Sequence, residues 1–170
     1  MTVTDHHPPE PTAPAKQQPP RQVEHAIRAL YVVAAIHLLA LVLVATHHGV
    51  LTAAVAADHP GWSPQRVDKV AASLFQSTLV PHIVLPVVFL ARGRALRSGR
   101  HRTRTVITVL LGLQLLAHAT LPLQLRLFPG YGPWIVGVQA VSLVFEAATL
   151  GLLWGTAPAR EFFARSPGRG

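Results

Sequence analysis

An all-α, four-helix transmembrane bundle is the fold this sequence predicts, and three observations predict it. Half of the 170 residues are hydrophobic, and they fall in four long blocks, not in the rhythm of a half-buried helix or strand. Only 13% are charged, against about 25% in ordinary soluble domains. Each block is close to the roughly 20 residues that a helix needs to cross hydrocarbon at ~1.5 Å per residue. There are no cysteines, which excludes disulfides, thiolate metal sites and paired-cysteine redox chemistry. The formal charge is +8. In a soluble protein that balance suggests nucleic acid. Beside apolar spans, basic residues set orientation instead, so no nucleic-acid partner is expected.

Residues 1–22 contain six prolines, at positions 8, 9, 11, 14, 19 and 20. They bury too little apolar surface to fold and read as a disordered cytoplasmic tail, partly polyproline II. His6 and His7 are solvated polar residues of that tail. No signal-peptide pattern precedes the first long span, so that span is expected to stay in the mature protein. The membrane domain is residues 23–156. Its first span, about 24–46, carries one ionisable side chain deep inside, His37. Arg28 and Tyr31 sit near its start, where a snorkelling cation and an interfacial ring belong. Residues 51–57, LTAAVAA, continue the helix or lie against the bundle. Asp58-His59-Pro60-Gly61 signals a turn. Ser63-Pro64 is an N-cap followed by proline at the first helical position.

The second span, about 70–91, contains Pro81 and Pro86, each expected to kink the helix, with His82 after the first. A loop with six arginines follows: Arg92, Arg94, Arg97, Arg100, Arg102 and Arg104. The third span, about 105–125, holds Gln114, His118 and Pro122. The turn at 128–133 leads to the fourth span, about 134–155. Residues 157–170 read as a basic cytoplasmic tail containing Phe162-Phe163. If the N-terminus is cytoplasmic, 12 basic residues lie on the inner side and 3, Arg66, Lys69 and Arg126, on the outer. The positive-inside rule then puts both termini in the cytoplasm of a cell bounded by this plasma membrane. The aromatic belt fits, with Trp62, Tyr131 and Trp134 outside and Tyr31 and Trp154 inside.

Four polar residues lie within the spans: His37, His82 and Glu146 near mid-depth, and His118 somewhat outward of them. An ionisable side chain at that depth costs several kcal/mol unless it faces the bundle interior, which makes each one a candidate for function. Gln139, Ser142, Glu146 and Thr149 recur at helical spacing and form one inward stripe. Gln114 and His118 are i, i+4 neighbours. His37 and His48 are three turns apart and would share a face, carrying a polar lining to the outer mouth.

The chemistry open to this cluster is varied. His37, His82 and His118 with a carboxylate suit a transition metal, and two facing histidines could hold a haem. Glu146 titrating against a histidine suits a proton or cation path. Plain interhelical hydrogen bonding is the structural reading. No bound cofactor is the expectation that needs least. The arginine loop sets topology and offers cytoplasmic anionic headgroups a basic surface. Ala147, Gly151 and Gly155 form a row of small residues, expected to pack within the bundle more than between copies. No phosphate loop, nucleophile arrangement or metalloprotease helix is present.

The close of the fourth span, LLWGTAPAREFFAR (152–165), resembles the close of four-helix membrane proteins of high-GC bacteria that have no assigned function. The basic connection RALRSGRHRTRTVITVLLG resembles theirs too, although His101 stands where an aromatic such as tryptophan is common. The resemblance implies four spans and no activity, and it transfers no site residue. The expectation is therefore an integral membrane protein, more an accessory or small-ligand or ion-handling protein than an enzyme. A haem or metal redox protein and a structural partner, in a membrane complex or a homo-oligomer, are the alternatives.

Overall fold

The computed structural model describes residues 18–127 and 132–165, without the side chains of His48 and Leu127. The expected disorder of the tail falls mainly on residues 1–17, outside the described part. The elements are α1 (Arg21–Thr46), α2 (His48–Asp58), α3 (Pro64–Leu96), α4 (His101–Ala117), α5 (Leu121–Leu127), α6 (Gly132–Leu150) and α7 (Ala157–Arg165). A 3₁₀ turn at His118–Thr120 joins α4 to α5, and a π-helical turn at Gly151–Gly155 ends α6. Among the described residues there is no strand.

Four helical stretches are long and apolar enough to cross a membrane: Arg21–Thr46, Pro64–Leu96, His101–Arg126 and Gly132–Gly155. Each of them exceeds the span read from hydropathy. α3 gains most, because Ser63 Oγ accepts from Arg66 N and starts the helix six residues before its apolar part. At its other end the helix runs on to Leu96, past Arg92 and Arg94.

α2 is a separate helix and not a continuation of α1. Thr46 Oγ1 bonds the Val42 carbonyl at 2.8 Å, and His47 Nδ1 bonds the Leu43 carbonyl at 2.8 Å. Those side chains occupy carbonyls at the end of α1, and Gly49 follows. His37 and His48 therefore do not share one continuous helix face. At the next corner, the Trp62 ring lies between the His59 ring, 3.8 Å away, and the Arg66 guanidinium, 4.1 Å away.

The four spans close into a ring. α1 packs on α3 and α6, and α4 packs on the same two. The surface of that ring is apolar. Leu39, Val42, Val87, Val109, Leu113, Leu116 and Val144 are all exposed. Only 28%, 11%, 11% and 17% of the four apolar windows are buried in the protein, so most of the apolar surface faces outward, as lipid contact requires and water forbids.

Two apolar cores bracket the interior. The larger, at the arginine end, gathers Val23, Ile27, Leu30, Val33, Phe89, Leu96, Ile107, Leu111 and Leu153. The smaller joins α2 to α3 through Leu51, Val55, Val67 and Ala71. At Gly93 the backbone of α3 comes so close to α1 that an added Cβ would stand 2.8 Å from Tyr31 Cε1. Beyond it, Arg97 donates from Nε to Glu24 Oε1 at 2.8 Å and from Nη2 to Oε2 at 3.0 Å. Their side chains are 51% and 29% exposed. Arg97→Ala is accordingly expected to lower the melting temperature only slightly at low salt, and less in high salt.

The C-terminal segment is not a free basic tail over its described length. Thr156 is extended, and α7 then folds back with Ala159, Phe162 and Phe163 buried in the larger core. Arg160, Glu161 and Arg165 remain outside. This small amphipathic helix buries one face like any surface helix. Phe162→Ala together with Phe163→Ala is expected to release it, read as new protease sensitivity after Gly155.

Candidate functional site

Between the two apolar cores lies a layer of polar side chains. α6 supplies most of it. Ser142, Glu146 and Thr149 are buried, Glu146 completely, as their spacing on one helix face requires. Thr149 turns back to the Phe145 carbonyl at 2.7 Å. Glu146 instead reaches across to the end of α4. His118 Nε2 lies 3.1 Å from Glu146 Oε2 and 3.2 Å from Oε1, and Ser142 Oγ donates to Oε1 at 2.6 Å.

Sequence counting puts His118 outward of Glu146, yet the two touch. Every Cα–Cβ bond tilts toward the N-terminus of its helix. α4 and α6 run in opposite directions, so His118 leans inward and Glu146 leans outward, which closes the offset.

The rest of the network has a single direction. Gln139 Nε2 donates to Gln124 Oε1, and Gln124 Nε2 donates to Thr120 Oγ1 at 3.0 Å. Thr120 Oγ1 donates to the Ala117 carbonyl at 2.7 Å. Gln139 is thus left with its oxygen toward His118 Nδ1, 3.3 Å away. An amide oxygen only accepts, so Nδ1 carries a proton. The remaining nitrogen, Nε2, then faces the Glu146 carboxyl group, 3.1 Å away. The network runs from the fully buried Glu146 to the exposed Thr120.

His37 and His82 make a second group. Their ring centroids are 5.3 Å apart and nearly perpendicular. His82 Nδ1 donates to the Thr78 carbonyl at 2.7 Å, so its Nε2 is the basic nitrogen. His37 is buried, its ring stacks on Phe89 with centroids 6.2 Å apart, and its Nε2 has no hydrogen-bond partner. The three histidines therefore divide into a pair and a single residue bound to Glu146. Among the described residues, no group of three or more His, Cys, Asp or Glu is placed to hold a metal ion. Gln114 is half-buried and joins none of the side-chain bonds of the network.

Two members were missed from sequence. Gln124 and Thr120 complete the chain to the surface, and the signal was present: Thr120 and Gln124 are i, i+4 neighbours beyond His118. Two other expectations change. Arg104 is not part of the exposed arginine row. It is 4% exposed, with its guanidinium carbon 3.3 Å from the Trp154 ring centroid and 5.1 Å from that of Phe163. It lies on the face of α4 that also carries the buried Ile107 and Leu111. Arg92, Arg94, Arg97, Arg100 and Arg102 are exposed.

The row Ala147, Gly151 and Gly155 points outward, and an added Cβ at either glycine meets nothing within 4 Å. The polar stripe takes the inward face, and residue 147 stands about 100° around the helix from Glu146. Comparison with protein-family models, with curated proteins and with solved structures finds no match.

Proposed function

We propose that this chain is a polytopic plasma-membrane protein that takes up and releases a proton at the His118–Glu146 pair, and that it handles a small cation or ligand there without being an enzyme. One observation carries the reading: a completely buried carboxyl group lies 3.1 Å from an imidazole nitrogen of the neighbouring span. Such a pair in a bilayer is costly to keep and suits a proton-coupled site. The hydrogen-bonded tract to Thr120 gives it a polar connection to one end of the bundle. The charge asymmetry along the sequence supports an arginine end in the cytoplasm, facing anionic headgroups, with both termini on that side.

The test is infrared difference spectroscopy of the carboxyl stretch during a pH titration of reconstituted protein, with Glu146→Gln to assign the band. A titrating band that vanishes in the variant supports the proposal. The absence of any Glu146 band across the stable pH range would overturn it.

A structural reading has its own observation. The one-way chain of donors ties α5 and the end of α4 to α6. On that reading the network serves assembly alone, and its loss lowers stability without changing any proton signal.

A further inference from the structure

We propose that Arg104 and the first turn of α4 form a binding site for one phosphate ester group, supplied by an anionic phospholipid headgroup at the arginine end. The site is distinct from the diffuse attraction of the exposed arginines. Its foundation is a set of donors with nothing to bind. Arg104 is 4% exposed, and its Nε and Nη2 are buried without a hydrogen-bond partner. Those two atoms form the edge of the guanidinium that grips two oxygens of one anion side by side. A buried, unpaired donor edge on a charged group is expensive, so a protein that keeps one implies an anionic partner.

A second feature points to the same ligand. α4 is a 17-residue helix whose N-cap, Arg100, makes no side-chain cap bond. Its first-turn amides therefore lack the usual side-chain acceptor, and the helix dipole favours an anion there. Arg104 sits one turn in, and its side chain leans back toward that end.

The surroundings add charge and a reporter. Arg160 Nη1 donates to the Trp154 carbonyl, at 3.4 Å, which brings a second cation to the same residue. Trp154 Nε1 donates to Thr108 Oγ1 at 2.8 Å, holding the indole against Arg104. Phe163 of α7 covers the other flank. The Nε–Nη2 edge is shut in this arrangement. An anion reaches it when α7, hinged at the extended Thr156 and held by three buried side chains, lifts from Arg104. The arginines and Trp154 mark this end of the bundle as headgroup depth, where the phosphate esters of lipids are the abundant anions.

The experiment uses full-length protein in neutral detergent, in a Trp62→Phe, Trp134→Phe background that leaves Trp154 as the single tryptophan. It is titrated with short-chain phosphatidylglycerol, with short-chain phosphatidylcholine and with inorganic phosphate. The expected result is a saturable change in Trp154 fluorescence, with a rise in melting temperature, for phosphatidylglycerol. The response is lost in Arg104→Gln and kept in Arg94→Gln, which removes the same charge from the exposed row. Arg104→Lys keeps the charge and stem but not the two-pronged edge, and is expected to weaken binding about tenfold. It also keeps the test open should Arg104→Gln fail to fold.

Saturation by inorganic phosphate as well, with the same dependence on Arg104, supports the phosphate site but makes a free phosphate compound its ligand. Equal losses in Arg94→Gln and Arg104→Lys, or a response that never saturates, overturn the proposal in favour of diffuse electrostatics.

Discussion

Glu146→Gln is expected to reduce proton exchange by reconstituted protein by about two orders of magnitude or more, the usual contribution of a positioned proton-transfer group. It should do so while changing stability by less than about 1 kcal/mol. The reason is the direction of the hydrogen bonds. The introduced amide can still accept from Ser142 through an oxygen at the Oε1 position and can donate to His118 Nε2 through a nitrogen at the Oε2 position, so one bond to each neighbour survives. Only the exchangeable proton is lost. Glu146→Leu makes the opposite demand. It strands the Ser142 hydroxyl and His118 Nε2 inside the bundle, at a cost of about 1–3 kcal/mol in total, since side-chain hydrogen bonds in membranes average nearer ~0.6 kcal/mol each than their value in vacuum. The comparison is a pH-dye assay on proteoliposomes beside thermal denaturation in detergent. Wild-type proton exchange in Glu146→Gln would leave the pair a structural role only.

The second large effect is at Gly93. Gly93→Leu is expected to lower stability by at least the ~1–3 kcal/mol typical of an overpacked core. A Cβ alone would press on Tyr31 Cε1 at 2.8 Å, and Leu30 Cδ2 stands 3.5 Å away. Since α1 and α3 hold the larger core together through Leu30, Val33 and Phe89, forcing them apart loosens the arginine end as a whole. Gly137→Leu is the matched control. Nothing stands within 4 Å of its added Cβ, and replacing glycine within a helix is neutral or mildly stabilising, by up to about 1 kcal/mol. Circular dichroism melts of the two variants side by side decide the matter. Equal melting temperatures would mean that α1 and α3 do not depend on close contact at Gly93.

The four spans were legible because apolar length is a strong signal in a membrane protein. Their inward faces were legible only where polar residues mark them, as Ser142, Glu146 and Thr149 do. Elsewhere lipid is as apolar as the core, so the sequence pattern does not tell Leu111, fully buried, from the exposed Leu113. The partnering of polar residues was not legible either. Three residues near one depth and His118 just outward of them allow several pairings; side-chain tilt brings His118 to Glu146, and His37 lies against His82.

The fold-back of α7 was hidden for another reason. A short segment with Arg160, Glu161 and Arg165 has the composition of a solvated tail, and only the periodic placement of Ala159, Phe162 and Phe163 betrays a buried face. Arg104 follows from that. Once α7 covers the end of the bundle, an arginine of the loop becomes an interior residue.

The way the polar residues are partnered bears on how the chain enters a bilayer as it is made. His37 and His82 lie on the first and second spans, and His118 and Glu146 on the third and fourth. Each helical hairpin brings its own polar residues together, His37 against His82 by ring contact and His118 with Glu146 by hydrogen-bond contact. Insertion can then proceed two spans at a time, with the first hairpin clasped by Glu24 and Arg97 before the second leaves the ribosome.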